Sequence, residues 1–302
     1  YVLENKYEID GKPCAEIFAT KAEDFELRGD IQKACRIPTE SVLFNIQEKL
    51  DATTKSTIDP VLNIFVKEFN RKMGYDDKKP EIAEIERYFD NKGKYEFFKE
   101  EYQKRFGETW ENGRKSILLK LQRVAEIMAE IDGIPQATAF DNIKAQIANY
   151  KIDTDGFVAL VKEHLDKQQP GSRFFFFVDE VGQFIGKDVH RMLSLQTIAE
   201  GLSDKTNGQS IVIVTSQMDI DATLGNLDKQ QEYDFSRIQG RFDTRISLTS
   251  ANADEVIQRR LLEKEEEPQQ MLCEVYQKEN HIIKSLFNFG DNSQFKSNYK
   301  ND

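Results

Sequence analysis

Five apolar residues, Phe174-Phe175-Phe176-Phe177-Val178, run without a break into two adjacent carboxylates, Asp179 and Glu180. A run this short, aromatic and β-branched, is bounded by Gln-Gln-Pro-Gly-Ser upstream and Gly182 downstream. It reads as a strand buried on both faces, hence as a central strand of a parallel sheet and not an edge. Open sheets of that kind take their ligands at the carboxyl ends of the strands, which is where Asp179 and Glu180 lie. A hydrophobic strand ending in Asp-Glu has the form of a Walker B element, whose Asp orders the Mg²⁺ of a bound nucleotide while the Glu positions and deprotonates the attacking water. The plainer alternative is a core strand whose carboxylates cap the next helix or face solvent.

Composition removes several classes. The 302 residues are 39% hydrophobic and 31% charged, a soluble globular balance with room for a core. No apolar run approaches the roughly 20 residues that span a bilayer. The start YVLENKYEID has neither a basic n-region nor a cleavage site, so the expectation is a cytoplasmic protein without membrane contact. Cys14, Cys35 and Cys273 are scattered, as are His164, His190 and His281, and no pair has disulfide-framework or zinc spacing. A balance of 42 basic against 53 acidic residues, net −11, disfavours a broad non-specific nucleic-acid surface.

Along the chain, Tyr1-Val2-Leu3 has no capping residue before it and reads as the tail of a helix already under way. The stretch 15–35 has helical spacing weakened by Gly29, and residues 41–46 read as a second buried strand. Asp59 as N-cap and Pro60 at the first position open a helix with Val61, Leu62, Phe65, Val66, Phe69 and Met73 on one face. Helical segments follow at about 81–90, 94–106, 114–131, 138–149 and 154–168. A crossover between parallel strands needs only a dozen or so residues, so 59–169 is expected to be a helical insertion, a subdomain or lid. Beyond the Asp-Glu strand, Asp188 caps a helix, a Thr206-Asn207-Gly208-Gln209 turn follows, and a buried strand from Ser210 ends in Thr215, Ser216 and Gln217. Residues 219–236 read as loop with short helix, 246–248 as a short strand and 253–264 as a helix closed by Glu265-Glu266-Glu267 and Pro268. One more helix reaches about Phe289, before a frayed tail. The predicted fold is α/β, a parallel sheet flanked by helices, in four parts: an N-terminal piece of the core (1–58), the helical insertion (59–169), the rest of the core (170–250) and a helical lid with tail (251–302).

Two further groups bear on chemistry. Thr215, Ser216 or Gln217 has the form of a sensor, an uncharged polar side chain that hydrogen-bonds the attacking water or the γ-phosphate; the same residues also fit ordinary turn chemistry. Arg237 and Arg241, four apart with Gly240 before the second, can present two guanidinium forks from one side of a helical turn. Such forks suit phosphate and could act as arginine fingers across a subunit boundary, or pair at the surface with Asp234 and Asp243. No G-x-x-x-x-G-K-[ST] occurs. The nearest text, residues 182–188, has three residues between its glycines and Asp where Ser or Thr is needed. The expectation is therefore a fragment whose P-loop lies upstream of Tyr1.

FFVDEVGQFIG, MLSLQTIAEGL, IVIVTSQMDI and FSRIQGRFDTRISLTSANADEVIQRRLLEK, with the earlier SVLFNIQEKLD and DPVLNIFVKEFNRKMGY, resemble the large P-loop ATPase of bacterial BREX phage-defence systems, of the BrxC or PglY type. The GRFD stretch is also similar to the second region of homology of AAA proteins. The resemblance implies an AAA+-like P-loop NTPase fold in a much longer protein that binds and hydrolyses ATP with Mg²⁺. It implies work with other BREX components, among them a phosphatase-like protein and a DNA methyltransferase, so that DNA is reached indirectly or through other regions. By position it implies Asp179 as the Mg²⁺ residue, Glu180 as the base, Thr215 or Ser216 as the sensor, and Arg237 with Arg241 as fingers between self-associated subunits.

Two other readings compete. A non-hydrolysing scaffold would use 59–169 as a docking module, with Phe97, Phe98 and Tyr102 at an interface instead of in a core. A metal-dependent nuclease built on Asp179 and Glu180 lacks a carboxylate or histidine cluster for the remaining ligands.

Overall fold

In the computed structural model a short antiparallel hairpin (β1, Glu8–Ile9; β2, Lys12–Pro13) and two helices (α1, Cys14–Thr20; α2, Phe25–Arg36) lead into strand β3, Thr39–Asn45. Residues 1–49, 59–185, 188–216 and 261–287 are described, with 244, 246 and 257. The chain divides into two units, Tyr1–Phe242 and Asp243–Asp302. In the first, helix α3 (Pro60–Met73) is followed by α4 (Pro80–Asn91), α5 (Tyr95–Phe106), α6 (Trp110–Gly113), a 3₁₀ turn (Arg114–Leu119), α7 (Leu121–Asp132), α8 (Gln136–Ala148) and α9 (Thr154–Asp166). Strand β4 (Arg173–Asp179), α10 (Val181–Ile185), α11 (Val189–Lys205) and β5 (Ser210–Val214) follow among its described residues. The second contains α12, Glu266–Phe287.

The aromatic run is the middle strand, as its composition predicts. The sheet order is β3-β4-β5, all parallel, giving a mixed α/β fold, mostly helical, with helices against the sheet. Side chains alternate across a strand: Phe44, Phe174, Phe176, Val178 and Val212 enter a core shared with α3, α9 and α11. Phe65 of α3 sits at its centre, 5.5 Å from the Phe44 ring and 5.2 Å from that of Phe176. On the other face Phe175 is buried, with the Arg173 guanidinium 5.2 Å from its ring and hydrogen-bonded to the Ala34 carbonyl at the end of α2. Further along that face burial relaxes, and Leu43, in register with Phe177, is 73% exposed.

Helices α4 to α8 enclose a second core in which Phe98, Tyr102 and Trp110 are fully buried. Phe89 and Phe98 stack with centroids 4.2 Å apart. The apolar face considered as a docking surface is therefore core at Phe98 and Tyr102, and half-exposed only at Phe97. At the centre the Glu86 carboxylate, wholly buried, accepts from Asp76 N (2.5 Å), Tyr95 Oη (2.8 Å), Trp110 Nε1 (2.6 Å) and Arg114 Nη1 (2.8 Å). Burial is the strongest single influence and opposes the Arg114 charge, but the Glu86 hydrogen bond and the charges of Glu86 and Asp76 together outweigh it, so the guanidinium pKa lies above its ordinary value. Burial, with the Glu86 charge beside it, pushes the Tyr95 phenol well up.

Several elements differ from the sequence reading for local reasons. Residues 2–5 form a turn, not the tail of a helix. The helix expected over 15–35 is two, because the Asp24 carboxylate accepts from Leu27 N (2.7 Å) and starts α2 afresh. The helix expected from 114 opens as the 3₁₀ turn, broken at Ser116 (φ −115°). Pro268 does not end a helix; it lies in the first turn of α12, where a missing N–H removes no helical bond. Gln217, Arg237, Arg241 and the predicted elements at 219–236 and 246–248 fall outside the described residues apart from Ile246, as does 253–264 except Ile257 and its last four residues.

At the opposite end of the sheet from Asp179, His164 Nε2 on α9 lies 2.6 Å from Glu40 Oε2 on β3. That hydrogen bond holds the Glu40 carboxyl below its ordinary value, against burial, with His164, Lys6 and Lys72 adding charge attraction. A folded-state pKa below the unfolded one gives stability that is present above 4.5 and lost as pH falls through the folded value. Glu40→Gln is expected to lower the melting temperature at neutral pH, and the gap from wild type should close on acidification. Melting curves across pH check this; a gap independent of pH would refute it.

Candidate functional site

Three strand ends meet at the carboxyl edge of the sheet. The register places Asn45 opposite Asp179, and the ladder continues past β5, with Thr215 N bonded to the Val178 carbonyl (3.0 Å) and Val181 N to the Thr215 carbonyl (3.0 Å). The backbone of Thr215 is thereby held on both sides by the Asp179-Glu180 turn. On the opposite flank Ile46 N bonds the Asp179 carbonyl (3.2 Å). Asn45 Oδ1 accepts from Gln47 N (3.0 Å) and Glu48 N (3.2 Å), turning the chain away from the edge.

The Asp179 carboxylate is oriented by two donors on one oxygen. Glu180 N reaches Oδ1 at 3.0 Å, and the Thr215 hydroxyl donates to the same Oδ1. These contacts differ from the capping alternative: Asp179 bonds its own successor and the neighbouring strand, not the first turn of α10. Glu180 has φ +61°, the left-handed region, which costs a non-glycine residue about 1–3 kcal/mol and collects at functional sites. Its own N–H on Asp179 and the next N–H on Thr215 hold it there.

The donor set distinguishes among metals. Among the described residues no group of three or more His, Cys, Asp or Glu could hold an ion. A single oriented carboxylate does not make an all-protein cage. It does fit Mg²⁺, which keeps several waters and binds through one or two carboxylates together with substrate phosphates.

Of the residues the sequence singles out, Asp179, Glu180 and Thr215 are brought together, and Ser216, next in chain, is exposed at the same edge. Asp188, which stands where a Walker A would need Ser or Thr, caps α11 through His190 N (3.1 Å) and Arg191 N (3.3 Å), a structural task. Two features went unread. One is the Thr215–Asp179 hydrogen bond, signalled only by both residues ending apolar strands. The other is the tie from the Ser194 hydroxyl to Asp59 (2.8 and 2.6 Å), which joins α11 to the N-cap of α3. Among the described residues no helix is long and apolar enough to cross a membrane. No protein-family profile and no solved structure matches the chain.

Proposed function

We propose that this chain carries the Mg²⁺ and water side of an ATPase site, and that the full-length protein hydrolyses ATP as part of a phage-defence complex of the BREX kind, with an AAA+-like P-loop fold. The observation that carries the reading is the Asp179 carboxylate at the end of the central parallel strand, fixed by Thr215 of the next strand and followed by a strained glutamate. The plain core-strand alternative gives no reason for a glutamate at φ +61°.

Bound Mg·ATP would supply the phosphoryl group and the cation that neutralises its developing charge. The chain's own tasks are to orient that cation through Asp179, to accept a proton from the attacking water at the Glu180 carboxylate, and to offer Ser216 as a phosphate contact. Arg237 and Arg241 would act across a subunit boundary. The burial of Phe98 and Tyr102 removes those two residues from the interface that the scaffold reading assigns them.

The test is ATP binding and phosphate release by the full-length protein with and without Mg²⁺. Mg²⁺-dependent release is expected; neither binding nor release would overturn the reading, and binding without release would favour the scaffold.

A further inference from the structure

We infer that Thr215 is a positioning residue, whose hydroxyl fixes the Asp179 carboxylate and so sets the geometry of the cation site without touching the nucleotide. The inference rests on the reading of Asp179 as the Mg²⁺ residue. A carboxylate turns easily about its last torsion, which has no sharp staggered wells. Here one oxygen, Oδ1, takes both the Glu180 N–H and the Thr215 hydroxyl, so Oδ2 is the oxygen offered to a cation. Neither donor can drift. Glu180 is the adjoining residue, and Thr215 is held through its N–H on Val178 and its carbonyl on Val181, at 3.0 Å each. Its β-branched side chain is also stiff at χ1.

The same bond withdraws Thr215 from a second duty. A threonine hydroxyl has one proton to donate. Given to Asp179, it is not available to a γ-phosphate oxygen, which can only accept, so Thr215 does not make the phosphate contact that its place at a strand end suggests.

The experiment is Mn²⁺ binding in the presence of ATP, read by electron paramagnetic resonance on full-length wild type, Asp179→Asn, Thr215→Val and Thr215→Ser, with metal-free ATP binding measured alongside. Valine keeps the shape and deletes the donor, and it is expected to weaken Mn²⁺ by about 10- to 100-fold, the usual range for a group that orients a metal ligand. Serine should restore affinity, and metal-free ATP binding should be the same in all three Thr215 proteins. Wild-type Mn²⁺ affinity in Thr215→Val would overturn the inference, as would a serine variant as weak as valine or a loss of metal-free ATP binding with valine. Unchanged Mn²⁺ affinity in Asp179→Asn would instead overturn the reading beneath it. If valine lowers the melting temperature, Thr215→Ala makes the same comparison with a smaller side chain.

Discussion

Glu180→Gln in the full-length protein is expected to keep ATP binding and to lower turnover by about 10²–10⁴-fold, the usual contribution of a positioned general base. The substitution leaves Asp179, its two donors and the backbone bonds around the turn in place. It removes only the ability to take a proton from water. Single-turnover phosphate release measured beside equilibrium binding separates the two steps, and turnover at the wild-type rate would remove Glu180 from the chemistry. The positive φ supplies a control. Glycine adopts that conformation without steric penalty, so Glu180→Gly is expected to match or exceed wild-type stability while being equally inactive. A residue that costs stability where it stands, and whose removal costs only activity, is held there by function.

Glu86→Ala is expected to destabilise the helical body by about 3–5 kcal/mol, the cost of removing one partner from a buried charge pair. Four donors converge on that carboxylate. Alanine would leave the Tyr95 hydroxyl, the Trp110 indole N–H and the Arg114 guanidinium beside an apolar void with no comparable acceptor. Against a total stability of about 5–15 kcal/mol for a domain, the loss is large enough to unfold a marginal one. Glu86→Gln keeps one acceptor oxygen and should lose less. Urea titration followed by tryptophan fluorescence is a direct readout, because the single Trp110 is itself one of the donors. A loss below about 1 kcal/mol, the scale of an exposed pair, would mean that the carboxylate is solvated.

Glu86 also shows where sequence reading stops. In PEIAEIERYFDN it is one of several acidic residues on an amphipathic helix, and helical periodicity separates faces without identifying which polar residue turns inward. Its partners lie 9, 10, 24 and 28 positions away, beyond the reach of helical periodicity. The elements that were legible are those whose signals are local: the Asp59-Pro60 start of α3, the αL glycines Gly107 and Gly133 that end helices, and the strand of phenylalanines. At the site, Asp179 and Glu180 were legible because strand and carboxylates are contiguous. Thr215 was legible as a residue, but its hydrogen bond to Asp179 was not, because that bond depends on the register between β4 and β5. Register is a property of the assembled sheet.

Helix α3 has a further consequence for how the helical body is joined to the sheet. Its fourteen residues, about 21 Å at the usual rise, are anchored at one end by Asp59 to Ser194 and along their length by Val61, Phe65 and Phe69 in the sheet core. Met73 at the far end packs against both cores. The chain returns through α9, which is seated in the same sheet core. Two embedded rods, rather than a pair of slack tethers, join the helical body to the sheet. Any displacement of α4–α8 against the sheet would therefore have to disturb the packing of α3 and α9 in the sheet core.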